Sequence, residues 1–410
     1  MNTSSFSINL NGEPVVIEGL SPNATLLDWL RARHLTGAKE GCAEGDCGAC
    51  TIVVVDRTPE GKRCFRAVNS CIALLPTMAG KELWTVEGIR ALGGAHHPVQ
   101  TAMAKNYGSQ CGYCTPGFIA SLFEGYYRED IASIDDLNDH LCGNLCRCTG
   151  YRPIRDAAVQ AWRGCKPGEK ACDTFGSRLQ SASAGEEACA YDCGGEVFFQ
   201  PGSLAEFFDL CKKHPAATRI AGGTEVGVGV AKIFQRHGAY IGLQRIREIL
   251  EIRREADALW IGGGVTLTDA MPALREEFPS LYEMCRWFAS RPIRNRATLG
   301  GNLATASPIG DTAPVLLALG ATLVLVSAGG TRQVALEDFF TGYRKTVLHA
   351  DELIHWVRIP LAPAGLRRIE KSVKVSKRRE MDISIVSAGL RLDLDDAGTI
   401  VAAALGFGGV

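Results

Sequence analysis

The chain has 410 residues, which at roughly 150 residues per domain points to two or three domains. Hydrophobic residues make up 46% and charged residues 22%, globular proportions that exclude a wholly disordered or fibrous chain. Lys plus Arg number 44 against 45 Asp plus Glu, so the charge calls for no nucleic-acid or anionic-membrane partner.

The N-terminus, MNTSSFSINL, has neither a basic nor an apolar stretch of the kind a secretory leader carries. Residues 3–20 alternate apolar and polar around Asn11-Gly12, a two-residue hairpin signal. A helix is expected over 26–34, with Thr25 as N-cap and Asp28 in capping-box position. The Gly- and Cys-rich loop 41–50 follows, then strands over 51–55 and 64–68. Together these make a first domain, 1–85. Residues 86–165 turn helical, with Thr115-Pro116 opening one helix as cap and first residue, and further helices over 133–141 and 153–162. Residues 166–191 are rich in Gly, Ala and charge with little periodicity, the composition of a linker. A mixed α/β third domain spans 192–366, with helices over 204–212 and 315–319 and strands over 218–221, 258–262 and 321–327. The longest apolar run, 315–326, is broken by Gly320 and Thr322 and is too short to span a bilayer. A cytoplasmic protein without a membrane partner is expected. In that reducing setting its 16 cysteines read as metal ligands or buried thiols rather than disulfides.

Cys42, Cys47 and Cys50 stand as C-x4-C-x2-C, the plant-type 2Fe–2S spacing. Cys71 is the best fourth ligand and Cys64 its competitor. Four thiolates on two irons require the chain to wrap closely, and Gly41, Gly45 and Gly48 permit those turns. A structural zinc site is the alternative, but zinc sites usually use paired C-x2-C units. Cys111 and Cys114 form a C-x2-C, and Cys146 and Cys148 a C-x-C. Each pair precedes a helix start, where an anionic cluster is favoured. Zinc again competes, and Cys142 is a decoy four residues before Cys146. Cys64, Cys142, Cys165, Cys172, Cys189, Cys193, Cys211 and Cys285 have no matched spacing and read as buried or linker thiols.

Two Gly-rich turns follow in the third domain. Arg219-Ile220-Ala221-Gly222-Gly223-Thr224-Glu225-Val226 is an apolar strand running into a turn, and Thr298-Leu299-Gly300-Gly301-Asn302 is a second such segment. Such turns can present backbone N–H groups to a pyrophosphate. Neither is a Rossmann G-x-G-x-x-G, and each alone could be an ordinary strand-to-helix turn.

GCAEGDCGACT, VNSC, SQCGYCTPGF and GNLCRCTGYRPI resemble the iron–sulfur half of the molybdenum hydroxylases. RIAGGTEV, RWFAS, ATLGGNLATASPIGDTAP and SKRREMDIS resemble their FAD domain. Both halves in one chain without a molybdopterin domain are similar to the small subunits of bacterial xanthine dehydrogenases. The resemblance implies a multidomain α+β fold: a β-grasp ferredoxin-like domain, an all-α four-helix 2Fe–2S domain, then an α+β FAD-binding domain of the PCMH/vanillyl-alcohol-oxidase type. Residues 367–410 would begin its C-terminal subdomain, of which the family pattern contains more. It assigns Cys42, Cys47, Cys50 and Cys71 to one 2Fe–2S cluster and Cys111, Cys114, Cys146 and Cys148 to the other. It places Arg219 to Val226, Phe288, Thr298 to Asn302, Asp311, Ile354 and Lys374 around FAD. It implies electrons leaving a molybdenum cofactor on a large partner subunit, in a heterodimer or a dimer of heterodimers, through both clusters to FAD and on to NAD in xanthine and hypoxanthine oxidation. The same architecture serving an aldehyde or N-heteroaromatic substrate, or a non-catalytic iron–sulfur carrier, are the alternatives.

Overall fold

A computed structural model of the chain describes residues 3–89, 96–164, 174–185 and 188–409. Cys165 and Cys172 lie outside the described residues. The chain forms two compact units that do not follow chain order. One comprises Met1–Gln200, Gly223–Tyr240 and Ser290–Asn295, and the other Pro201–Gly222, Ile241–Ala289 and Arg296–Val410.

In the first unit the alternation of Phe6, Ile8 and Leu10 becomes strand Ser5–Leu10, paired antiparallel with Glu13–Glu18. Asn11 and Gly12 turn the hairpin with φ of 54° and 95°, as a two-residue turn of this type demands. Five strands align in the order Glu13–Glu18, Ser5–Leu10, Glu82–Trp84, Thr51–Arg57, Arg63–Asn69. Ser5–Leu10 runs parallel to Glu82–Trp84. The period of two divides the sheet between two cores. Ile52, Val54, Val68 and Leu83 pack on Leu26, Leu27 and Leu30 of helix Leu26–Ala32, giving the β-grasp arrangement. Val53, Val55, Phe65 and Trp84 pack with Phe118, Leu122, Phe123 and Ile154 of the helical domain.

Among the described residues that helical domain has four helices: Pro98–Lys105, Thr115–Tyr126, Ile134–Leu141 and Arg152–Gly164. The first opens on Pro98 without a usual cap residue before it; His97 caps it, paired with Gln100 in a reciprocal box. One boundary differs from expectation. Cys114, not Thr115, occupies the cap position of the second helix, and Thr115 donates to Ser109 Oγ at 2.8 Å instead. The expected linker is also more structured than its composition suggests. Thr174–Leu179 is a helix, and Phe175, Ala182 and Ala184 join the helical core. A hairpin of Cys189–Cys193 and Glu196–Gln200 completes the unit; its Tyr191 donates to the Leu20 carbonyl at 2.6 Å.

The second unit holds an antiparallel sheet in the order Ile252–Arg254, Ala258–Gly262, Leu353–Pro360, Thr322–Ser327, Gly330–Ala335. Leu259, Ile261, Leu323, Leu325, Val357 and Ile359 are buried on it. A three-stranded sheet, Arg367–Val375, Val386–Leu394 and Ile400–Gly408, lies against helix Thr312–Leu319. Gly389 and Gly406 allow that approach, since a Cβ on either would fall 2.4 Å from Val315 Cα or 2.2 Å from the Pro314 carbonyl oxygen. No helix among the described residues is long and apolar enough to cross a membrane.

Candidate iron–sulfur cages and flavin cradle

Loop 41–50 folds back on itself through left-handed residues Ala43, Gly45 and Gly48. A Cβ on Gly41 would stand 2.7 Å from Cys47 Sγ, so only glycine leaves room for the thiol there. The Cys47 N–H points at Cys42 Sγ at 3.4 Å. The 3₁₀ turn Ser70–Ile72 brings Cys71 to the same place, held by Ser70 Oγ donating to the Cys50 carbonyl at 2.7 Å. The four thiols perturb one another strongly. Hydrogen bonds from Cys47 and Cys71 hold the Cys42 thiol well below its ordinary range, and Cys71 does the same for Cys50. Contact with Cys42 pushes Cys47 up, and contact with Cys42 and Cys50 pushes Cys71 up. Four thiols gathered this closely are the donor set a multi-iron cluster needs. Cys64, the competing fourth ligand, instead turns its Sγ to the Asp56 carbonyl at 3.7 Å.

The second set gathers at the start of helix Thr115–Tyr126. Cys148 Sγ lies 3.6 Å from Cys111 Sγ and 3.9 Å from Cys146 Sγ. Burial and the neighbouring Cys146 push the Cys114 thiol up to about 12. Burial also acts to raise Cys146, but the Thr149 hydroxyl at 3.0 Å and the Thr149 N–H outweigh it and bring the thiol down to about 7. Cys142 ends helix Ile134–Leu141. Among the described residues no group of three or more His, Cys, Asp or Glu is arranged to hold a metal ion; the thiols of each set contact one another. Cys50 and Cys71 are buried, whereas Cys111 and Cys148 are exposed.

The two sets adjoin. The Leu145 N–H, next to Cys146, donates to the Cys47 carbonyl at 2.9 Å. Gly117, three residues after Cys114, faces the Gly48 carbonyl, where a Cβ would come to 2.1 Å. Asn144 donates to the same carbonyl at 3.2 Å and accepts from Ser121 Oγ at 2.6 Å. Farther along the helix, Glu124 is wholly buried. It accepts from Arg291 Nε at 2.8 Å, Asn295 Nδ2 at 3.1 Å and the Ala67 N–H at 3.0 Å. Burial opposes its ionisation, but Arg291, His140 and Arg128 prevail and hold it at about 2. Residue-by-residue reading passes over Leu145, Asn144 and Glu124. Only the run GNLC, between two cysteines, hints at the first two.

In the second unit, strand Thr218–Ile220 leads into Ala221 and Gly222. A Cβ on Gly222 would sit 2.0 Å from the Arg296 carbonyl oxygen. Thr298 caps helix Leu299–Thr305, accepting from the Gly301 N–H at 2.9 Å. Gly300 closes on the Gly263 carbonyl, where its Cβ would come to 2.4 Å, and Gly263 closes likewise on the Ile354 carbonyl at 2.0 Å. A Cβ on Gly301 would lie 3.7 Å from Ala221 Cβ, so the two Gly-rich segments meet. The result is a cradle of bare backbone with the donor chemistry that a pyrophosphate takes. Gly263, which the motifs do not single out, backs the second segment at Gly300.

Not every residue of the segments faces the cradle. Ile220 is buried, and Arg219 turns away to the Ala350 carbonyl and the Phe207 ring. Gly223, with φ of 75°, through Val226 belongs to the first unit and opens helix Thr224–Ile233; Glu225 is exposed there. Leu299 is fully buried. Asn302 Oδ1 accepts from Thr312 Oγ1 at 2.5 Å. Asp311 and Lys374 form a buried ion pair at 2.7 Å, with Ser384 Oγ on Asp311 at 2.5 Å and Lys374 Nζ also on the Trp287 carbonyl at 3.3 Å. Phe288 is half-buried at the end of helix Pro279–Phe288.

Four family models match: a 2Fe-2S iron-sulfur cluster binding domain over residues 8–75, a 2Fe-2S binding domain over 85–159, the FAD binding domain in molybdopterin dehydrogenase over 191–362, and the CO dehydrogenase flavoprotein C-terminal domain over 371–410. Xanthine dehydrogenase of Emericella nidulans is 34% identical over 98% of this chain and 33% of its own length. Xanthine dehydrogenase/oxidase of Rattus norvegicus is 32% identical over 95% of this chain and 33% of its own. The chain thus spans about a third of the length of these curated relatives. Among solved structures, quinoline 2-oxidoreductase from Pseudomonas putida 86 is 30% identical, with a TM-score of 0.47 over 52% of this chain and 73% of that one.

Proposed function

The chain belongs to the molybdenum hydroxylase family as its iron–sulfur and FAD-binding part, and from that premise we propose that it is the electron-transfer subunit of a xanthine dehydrogenase. In this reading a large molybdopterin-binding subunit oxidises hypoxanthine and xanthine, and NAD receives the electrons. The partnership is a heterodimer or a dimer of heterodimers, in a cytoplasm that keeps the thiols reduced.

The observation that carries the reading is the gathering of eight thiols into two adjoining sets, joined by the Leu145 N–H to Cys47 carbonyl hydrogen bond. When bound, the clusters move electrons singly and the flavin takes them singly and gives them up in pairs. The protein supplies holding and orientation. Cys42, Cys47, Cys50 and Cys71 would hold the enclosed cluster, and Cys111, Cys114, Cys146 and Cys148 the exposed one. Asn144 and Gly117 keep the second loop pressed against Gly48. Gly222 and Gly300 let the backbone turns close up where the FAD pyrophosphate would lie, and Thr298 fixes the second turn by accepting from the Gly301 N–H. Asp311 and Lys374, paired out of water, tie strand Arg367–Val375 to the start of helix Thr312–Leu319. No step requires an acid–base residue of this chain.

Chemical analysis of the purified chain tests the reading. About four irons and about four acid-labile sulfides per chain are expected for two 2Fe–2S clusters, with one FAD and NADH-dependent reduction of a dye. Zinc without sulfide would refute it. Clusters without FAD or dye reduction would leave only an iron–sulfur carrier.

A further inference from the structure

Helix Thr224–Ile233 belongs by sequence to the FAD region, yet it clusters with the iron–sulfur unit. Its contacts there are specific. A Cβ on Gly227 would fall 1.8 Å from the Ile72 carbonyl oxygen and 2.6 Å from the Ile72 carbonyl carbon. Both are backbone atoms, so no side-chain rotation could make room. Ile72 directly follows Cys71 in the turn Ser70–Ile72. That turn is therefore held from two sides, by Ser70 on the Cys50 carbonyl and by the helix on Ile72. One residue on, Val228 packs on the core that contains Cys50 and Cys71. One turn farther, Lys232 pairs with Glu44, which stands in the loop between Cys42 and Cys47. A single helix thus touches both arms of the first thiol cage.

We propose that helix Thr224–Ile233 is the outer wall of the first cage, with Gly227 as the positioning residue that seats Cys71 and Lys232 as the charge that offsets Glu44 beside the loop. The inference rests on the cluster reading above and goes beyond it by naming what sets the first cluster's potential. Cluster potentials depend on net charge, hydrogen bonds to sulfur and solvent exposure. Reduction adds negative charge. Admitting water by lifting the helix stabilises the reduced form and raises the potential. Removing the Lys232 cation leaves Glu44 unpaired and lowers it. The two changes therefore carry opposite signs, which a general loss of stability would not produce.

The test is an EPR-monitored redox titration of the full-length chain with both clusters assembled. A Cys50→Ala chain, which lacks a ligand of the first cage, assigns the signals. Gly227→Ala is expected to shift the first cluster's midpoint upward and alter its g-values, leaving the second cluster's signal in place. Lys232→Gln is expected to shift the same midpoint downward, less so at high salt because the pair is half exposed. Gly238→Ala, a substitution into open space in the same unit, is expected to change neither. Unchanged first-cluster potentials in both test variants would overturn the inference. If Gly227→Ala does not fold, an unmoved potential in Lys232→Gln overturns it alone. A wild-type chain without iron and sulfide would overturn the functional reading, and this inference with it. Loaded clusters with unmoved potentials would overturn only the inference.

Discussion

Gly222 shows how much of the cradle depends on one absent methyl group. Its Cβ would meet the Arg296 carbonyl oxygen at 2.0 Å and Ala297 Cα at 2.9 Å, both on backbone that cannot rotate aside. Gly222→Ala is therefore expected to part the two Gly-rich segments and abolish FAD retention, while the thiol cages, built from other residues, keep their iron. Flavin released on denaturation, measured against iron in the same sample, reads this directly; stoichiometric FAD in the variant would show that the cradle does not hold it. The glycines were legible because only a bare backbone suits such a turn. The direction of Arg219 was not. A motif places a residue along the chain, but the partners of its side chain come from the Phe207 helix and the Ala350 carbonyl, which no local pattern contains.

At the scale of elements, helices Thr115–Tyr126 and Ile134–Leu141 are joined by a buried charge cluster with a calculable pH dependence. His140 is wholly buried, its Nε2 at 2.6 Å from the Ser121 carbonyl and its Nδ1 at 2.9 Å from Arg128 Nη1. The guanidinium can only donate, so Nδ1 accepts and Nε2 carries the proton. Gly125 makes room for the ring, since its Cβ would lie 2.8 Å from Nε2. Burial lowers the folded pKa of His140 to about 4, with Arg128 and Arg291 adding to the effect against Glu124. A histidine whose folded pKa is depressed binds its proton more readily when unfolded. Its contribution is therefore complete above about 6.5 and is lost as pH falls toward about 4, by up to about 3 kcal/mol. Glu124, also depressed, has the same sense in a lower window, complete above the ordinary carboxylate range and lost toward about 2. Thermal melting of the apo chain, followed by far-UV circular dichroism between pH 7 and pH 4 (a window set by the approximate pKa values just given), should fall steeply in the wild type and more shallowly in His140→Gln. Parallel curves for the two proteins would disprove the assignment. The caps of these helices show what was readable. Ser133 with Asp136 forms a reciprocal box, whereas Thr25 forms only the cap half, accepting from the Asp28 N–H while its hydroxyl donates to the Asp28 carboxylate at 2.7 Å. His97 forms a box too, but histidine is not a usual cap, so of this helix's start only Pro98 at the first position was readable. Thr174–Leu179 was hidden for another reason: its place depends on Phe175 reaching a distant aromatic core, at 4.8 Å from Trp84 and 5.1 Å from Phe123.

For the whole molecule, the order of cluster-binding and flavin-binding parts was legible because cysteine spacing and glycine turns are local. The membership of Gly223–Tyr240 and Ser290–Asn295 in the iron–sulfur unit was not, because it depends on contacts such as Gly227 with Ile72 and Arg291 with Glu124, far apart in sequence. The same non-local packing makes the two cages unequal. Cys50 and Cys71 lie beneath the sheet, helix Leu26–Ala32 and Val228, whereas Cys111 and Cys148 face solvent. Attack on a cluster begins where a chelator or oxidant can reach the sulfur and where the ligand exchanges readily. Exposure favours the second cage on the first count. On the second, the Thr149 hydroxyl and N–H bring the Cys146 thiol down to about 7, so it holds more of the reactive thiolate at neutral pH than an ordinary thiol does when metal is absent. Treatment of the assembled chain with a chelator under air should therefore remove iron in two phases, the second cage first, with the first cluster's EPR signal outlasting the other. Alkylation of the metal-free chain, located by peptide mass, should label Cys111, Cys146 and Cys148 before Cys50 and Cys71. Loss of both EPR signals at one rate, together with uniform labelling, would mean that the enclosure of the first cage does not protect it.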